Sequence, residues 1–130
     1  MTETEFWTYL SNERKKGNAN VVAGAFSRGS NGKMTQSQRY ITSHAILPAN
    51  YQNIPQSAIL SMGELLFKKG VNYDTKEAIM ILLAHQETKD AIFILNEYNL
   101  NPDEELRIFA ALALDECLMR NEVGTELEQV

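Results

Sequence analysis

The stretch Thr75-Lys76-Glu77-Ala78-Ile79-Met80-Ile81-Leu82 returns thirteen residues later as Thr88-Lys89-Asp90-Ala91-Ile92-Phe93-Ile94-Leu95. This echo constrains the fold more than any other feature of the chain. Neither Gly nor Pro separates the copies, so one continuous helix is the first option. An α-helix turns about 100° per residue, and thirteen steps rotate equivalent side chains by about 220°. Two apolar stripes on such a rod would point in nearly opposite directions. A break near Gln86-Glu87, with Thr88 as a new N-cap, lets both stripes face one core. Short isoleucine-rich runs can also be buried strands. Here the surrounding Ala, Leu, Met, Glu and Lys favour helix, and no Asn-Gly or Asp-Gly turn lies between the copies. Two helices are expected.

The other elements follow from the same patterning. Thr2 and Glu5 have capping-box spacing ahead of a stripe of Phe6, Trp7 and Leu10, and Gly17 supplies a stop, so residues 2–16 read as a helix. Its aromatic cluster, Phe6, Trp7 and Tyr9, can pack on the body or anchor an interface. Residues 21–26 fit a short strand or a buried turn, and residues 27–32 have loop composition. Residues 36–47 read as a helix carrying Tyr40, Ile41, His44 and Leu47, closed by Pro48. Ile59, Leu60, Met62, Gly63, Leu65, Leu66 and Phe67 suit a buried helix that ends near Gly70.

The last helix begins beside Pro102, with Asp103, Glu104 and Glu105 complementing its positive end, and runs over residues 106–120 without a breaker. Leu106, Phe109, Ala110, Ala113, Cys117 and Leu118 form its expected core stripe. Ile108, Ala111, Leu112 and Met119 put apolar surface on other faces, and such a helix must be covered on more than one side. Residues 122–130 form a polar tail, expected to fray.

Composition bounds the rest. A chain of 130 residues with 44% hydrophobic and 22% charged side chains is one domain able to bury a core. It divides into a basic, polar helix-and-loop arm (1–53), a helical body (54–122) and a flexible tail (123–130). Before Tyr51 there are six bases against three acids; from Tyr51 onward there are six against fourteen. The net charge of −5 excludes a protein whose whole surface binds nucleic acid. A single cysteine, Cys117, excludes an internal disulfide and a Cys-rich zinc site. Apolar runs such as 78–84 fall far short of a membrane span, and the acidic N-terminus is unlike a signal peptide. A cytoplasmic protein is expected.

The segment Leu106-Arg107-Ile108-Phe109-Ala110-Ala111-Leu112-Ala113-Leu114 resembles the second helix of a HEAT-type repeat: an aliphatic, an arginine, small alanines and a closing leucine. Asn101-Pro102-Asp103 then occupies the turn, and residues 90–98 the preceding first helix. Residues 57–65, Ser-Ala-Ile-Leu-Ser-Met-Gly-Glu-Leu, are a fainter match to the alanine, leucine, glycine part of the same second helix. The resemblance implies an all-α fold, an irregular antiparallel stack like the HEAT or armadillo α-α superhelix, and a binding scaffold in place of a given reaction.

Chemistry-bearing residues are sparse. The loop from Ser27 to Thr35 invites comparison with a phosphate-binding P-loop, but Ser27 stands where glycine is needed and Met34 where a hydroxyl is needed. Arg28, Lys33 and Arg39 are candidate contacts to an anion, against a plain solvated loop. His44 and His85 have no metal-ligand spacing, so each reads as structural, and no metal or cofactor is expected. Cys117, beside Asp115 and Glu116, reads as core and not as a nucleophile. An enzyme becomes a live option only if a pocket gathers His44 or His85 with an acid. The expected function is non-enzymatic protein–protein interaction by a small adaptor or regulator, through burial of Ile108, Leu112 and Met119 against a protein partner or, as a homodimer, a second copy of itself. The alternative is anion or nucleic-acid binding through the basic residues between Arg14 and Arg39.

Overall fold

The computed structural model describes the backbone of residues 1–17 and 34–129 and the side chains of residues 1–17 and 34–121. The expectations for 21–26, for the 27–32 loop, and for Arg28 and Lys33 lie outside the described residues, as do the side chains of the polar tail. Among the described residues there are six α-helices and no strand. They are α1 (Glu3–Gly17), α2 (Gln36–Ser43), α3 (Gln56–Phe67), α4 (Tyr73–Ala84), α5 (Lys89–Leu100) and α6 (Arg107–Gln129). Short 3-10 turns follow α2 (His44–Ile46) and precede α3 (Tyr51–Asn53) and α6 (Glu104–Leu106). The helical backbone of α6 continues through the polar tail to Gln129.

Local chemistry starts the helices. Thr2 and Glu5 form the reciprocal capping box expected of α1, at 2.8 and 3.1 Å. A second box, Thr35 with Gln38, opens α2. The break in the echo is where periodicity puts it: α4 ends at Ala84, and the Thr88 hydroxyl accepts from the Ala91 amide at 3.2 Å to open α5. Gly70, at φ +84°, makes the turn between α3 and α4, a conformation that favours glycine.

The two copies of the echo occupy different environments. In α5 only one face is covered: Ala91, Ile94, Leu95 and Tyr98 are buried, while Phe93 is 64% exposed. In α4 every residue from Thr75 through the flanking Gln86 is buried. An α-helix apolar all round belongs inside a protein, and α4 is that helix, enclosed by the other five. Burying Lys76 and Glu77 with it demands partners. Lys76 Nζ meets Asp103 Oδ2 at 2.7 Å, and Glu77 Oε2 meets Arg39 Nε at 3.0 Å. The second pair ties the basic N-terminal arm to the acidic body.

Chain directions follow from which residues meet. Gln56 bonds Asp90 and the Phe67 ring meets the Tyr98 ring, so α3 runs parallel to α5. Lys76 meets Asp103 and the Cys117 thiol donates to the Leu83 carbonyl, so α4 runs parallel to α6. Neighbours in sequence from α3 onward are antiparallel. Corresponding helices start 33 residues apart for α3 and α5, and 34 apart for α4 and α6. Residues 57–65 lie in α3, beside α5. Gly63 is the close contact in that layer: a Cβ there would sit 2.7 Å from Ile94 Cδ1.

The arm covers α4. Glu3 accepts from the Asn72 amide and the Thr75 hydroxyl, and Trp7 Nε1 donates to Thr75 Oγ1 at 3.0 Å. Phe6 and Leu10 are buried, so the aromatic cluster packs on the body. Three expected core residues are not core: Leu60 is 46%, Phe67 52% and Leu118 37% exposed. No helix among the described residues is long and apolar enough to cross a membrane.

Removing one partner of a buried ion pair strands the other charge, a loss of about 3–5 kcal/mol. Glu77→Ala is expected to lower the unfolding free energy by about 3 kcal/mol in urea titrations. A loss below about 1 kcal/mol would mean that the pair is solvated.

Candidate functional site

The fold gathers His44, His85 and Glu116, three residues from different elements. His44 begins the 3-10 turn after α2, His85 caps the C-terminus of α4, and Glu116 lies midway along α6. Because α2, α4 and α6 run parallel, the first two end beside the same turn of the third. His44 Nε2 lies 3.0 Å from Glu116 Oε1, and His85 Nε2 lies 2.8 Å from Oε2. The rings pack edge to face with centroids 4.9 Å apart. The Tyr40 hydroxyl donates to Glu116 Oε1, and Arg120 Nη2 reaches Oε2 at 3.4 Å. One carboxylate thus holds four side chains.

The imidazoles are oriented from behind. His44 Nδ1 donates to the Tyr40 carbonyl and His85 Nδ1 to the Ile81 carbonyl, each at 2.8 Å and each one helical turn back. His85 is buried, and His44 is about one-third exposed. Burial is the main cause that lowers the His85 pKa below the ordinary imidazole value. For Glu116, burial is the largest single influence and opposes ionisation. The hydrogen bonds from Tyr40 and His44 and the nearby histidines outweigh it, holding the carboxyl below the usual carboxylate range. Burial, with Glu116 beside it, pushes the Tyr40 phenol far up, so it remains a donor. Two imidazole nitrogens and a carboxylate are a donor set suited to a divalent metal.

Cys117 follows Glu116 but turns inward. Its thiol donates toward the Leu83 and Gln86 carbonyls at 3.6 and 3.7 Å, and burial pushes its pKa up to about 11. The core reading of this residue agrees with that environment. At the opposite end of α4 a cleft of about 630 Å³ is lined by residues including Phe67, Val71, Tyr73, Lys76, Tyr98 and Asp103. Within it Asp103 accepts from both Lys76 and Tyr98. Burial opposes the Asp103 charge, but those bonds prevail and keep its pKa low.

The other predicted site residues fall as follows. Ile108 and Met119 are 50% and 60% exposed on the outer flank of α6, while Leu112 is half-buried against the core. Arg39, the third candidate anion contact, donates from Nε to Glu77 and from Nη1 to the Met34 carbonyl. His44 and His85, each expected to be structural, share one cluster. Their sequence spacing holds no signal of it; the only local hints are the i, i+4 pairs Tyr40–His44 and Glu116–Arg120. Sequence reasoning also missed exposed Phe93 and Leu100 on α5.

Both shifts in the cluster act on stability in one direction. His85 and Glu116 have folded pKa values below their unfolded ones, so their contributions are present above about 6.5 and 4.5, respectively, and are lost as pH falls. In metal-free buffer the urea midpoint is expected to drop as pH is lowered from about 7 to about 5.5, and to drop less in His85→Asn. A midpoint that is flat or rising over that window contradicts the assignment. No family model, curated protein or solved structure matches the chain.

Proposed function

We propose that this protein is a non-enzymatic protein–protein interaction module, a small helical adaptor or regulator, which pairs with a second copy of itself through the outer flank of α6. The observation that carries the reading is the line Ile108, Leu112, Asp115 and Met119, spaced i, i+4, i+7 and i+11 on one side of the helix. Its two end residues are the half-exposed Ile108 and Met119. Leu118 and, on the neighbouring α2, Ile41 (71% exposed) add apolar surface. One self-complementary stripe is covered on both copies by a twofold pairing, which closes the assembly.

The HEAT-like superhelix belongs to the same proposal. Antiparallel pairs α3–α4 and α5–α6, with near-constant spacing between corresponding helices, support it; enclosure of α4 by α1 and α2 is the departure from an open stack. The same reading has the protein working in the cytoplasm. For the anion-binding alternative, Arg39 is committed to Glu77, which leaves Arg14, Lys15 and Lys16 at the end of α1 as its described bases.

Light scattering at micromolar concentration is expected to give twice the chain mass. The double change Ile108→Asp and Met119→Asp is expected to weaken association at least tenfold, about 1.4 kcal/mol, with helical circular dichroism unchanged. Asp115 interrupts the apolar line, so Asp115→Asn is expected to tighten it. A single-chain mass at every concentration contradicts the proposal.

A further inference from the structure

We propose that His44, His85 and Glu116 bind one divalent transition-metal ion of the zinc type. The inference is independent of self-association, since the cluster joins α6 to α2 and α4 whereas the proposed pairing uses the outer flank of α6.

The tautomers carry the inference. A main-chain carbonyl can only accept, so the 2.8 Å contacts from His44 Nδ1 to Tyr40 and from His85 Nδ1 to Ile81 put a proton on each Nδ1. A neutral ring bonded in this way keeps a bare lone pair on Nε2. Both Nε2 atoms nevertheless point at carboxylate oxygens, at 3.0 and 2.8 Å. A lone pair facing a carboxylate at that distance is repulsive unless positive charge lies between them. In the metal-free protein a second proton on His44 supplies it at Oε1 alone; one on His85 as well would set two imidazoliums in edge contact at 4.9 Å, beside the Arg120 guanidinium. A single divalent ion supplies it to all three groups at once.

The surroundings are those of a ligand set. Metal-binding histidines characteristically donate the far ring nitrogen to a carbonyl or carboxylate, and metal-binding carboxylates are themselves hydrogen-bonded. Here the Tyr40 and Ile81 carbonyls hold the rings, and the Tyr40 hydroxyl holds Glu116. Two nitrogens and one carboxylate select zinc, cobalt or nickel over calcium and magnesium, which take oxygen. The three ligand atoms lie within 4.8 Å of one another. Tetrahedral zinc, with bonds of about 2.1 Å, holds its ligands about 3.4 Å apart. To reach that spacing the nitrogen–oxygen contacts of 3.0 and 2.8 Å open slightly, with His44, the partly exposed member on a 3-10 turn, as the ligand that adjusts. Arg120 opposes the cation, which points to micromolar affinity in place of the tighter binding of a closed structural site.

The test uses the untagged full-length chain, stripped with chelator and titrated with zinc chloride by calorimetry. One equivalent is expected to bind with micromolar affinity and to raise the melting temperature. Cobalt is expected to give visible d–d bands without the near-ultraviolet thiolate band that Cys117 would add. His44→Ala, at a partly exposed position, and Glu116→Gln, which can still accept from Tyr40, are each expected to weaken binding at least tenfold with helicity intact. Cys117→Ala is expected to leave it unchanged. Absence of zinc binding, a thiolate band, or binding that survives both ligand changes would overturn the proposal.

Discussion

The structure depends on one constraint, the burial of α4 from Thr75 onward together with the two residues that follow it. A segment with no wet face cannot leave a polar group to solvent, and this one carries Thr75, Lys76, Glu77, His85 and Gln86. An unpartnered buried charge costs far more than a hydrogen bond returns. Each of these side chains therefore recruits a partner from a surrounding element. Thr75 takes Glu3 and Trp7 of α1, and Lys76 takes Asp103 at the entry to α6. Glu77 takes Arg39 of α2, His85 takes Glu116 of α6, and Gln86 takes the Tyr51 carbonyl. Apolar burial drives the helices around α4, while these polar pairs specify which residue of each helix sits where.

The histidine cluster is a product of that arrangement. His85 ends the buried helix and needs a partner at its Nε2; Glu116, one residue before the core cysteine of α6, is within reach. The same carboxylate is reached from α2 by Tyr40 and His44, because α2 lies along α6 and starts where the Gln36 side chain accepts from the Ile108 and Phe109 amides. Structure and candidate chemistry thus share residues, and substitutions at Glu116 act on both. His44, the most exposed member, is the position where the two separate.

Much of the architecture is readable from local patterns. The helix break at residues 85–88, the caps at Thr2 and Thr88, and the buried stripe of Leu106, Phe109, Ala110, Ala113 and Cys117 follow from spacing alone. What periodicity cannot supply is the environment beyond one helix. Met80 and Phe93 are equivalent in the echo, yet one is fully buried and the other mostly exposed, because α4 has neighbours on every side and α5 does not. Leu60 and Phe67 look like core for the same reason: an apolar residue is not forbidden at a surface. The histidine cluster is less readable still. Its three members sit on elements far apart in sequence, and the parallel run of α2, α4 and α6 brings them together.

Amide hydrogen exchange tests the central account most directly. If α4 is enclosed and pinned by its polar pairs, the amides of residues 77–84 open only with global unfolding and exchange slowest in the molecule. Those of α5, covered on one face, are expected to exchange sooner through local opening. Exchange in α4 as fast as in α5, or faster, would contradict a fold organised around a buried central helix.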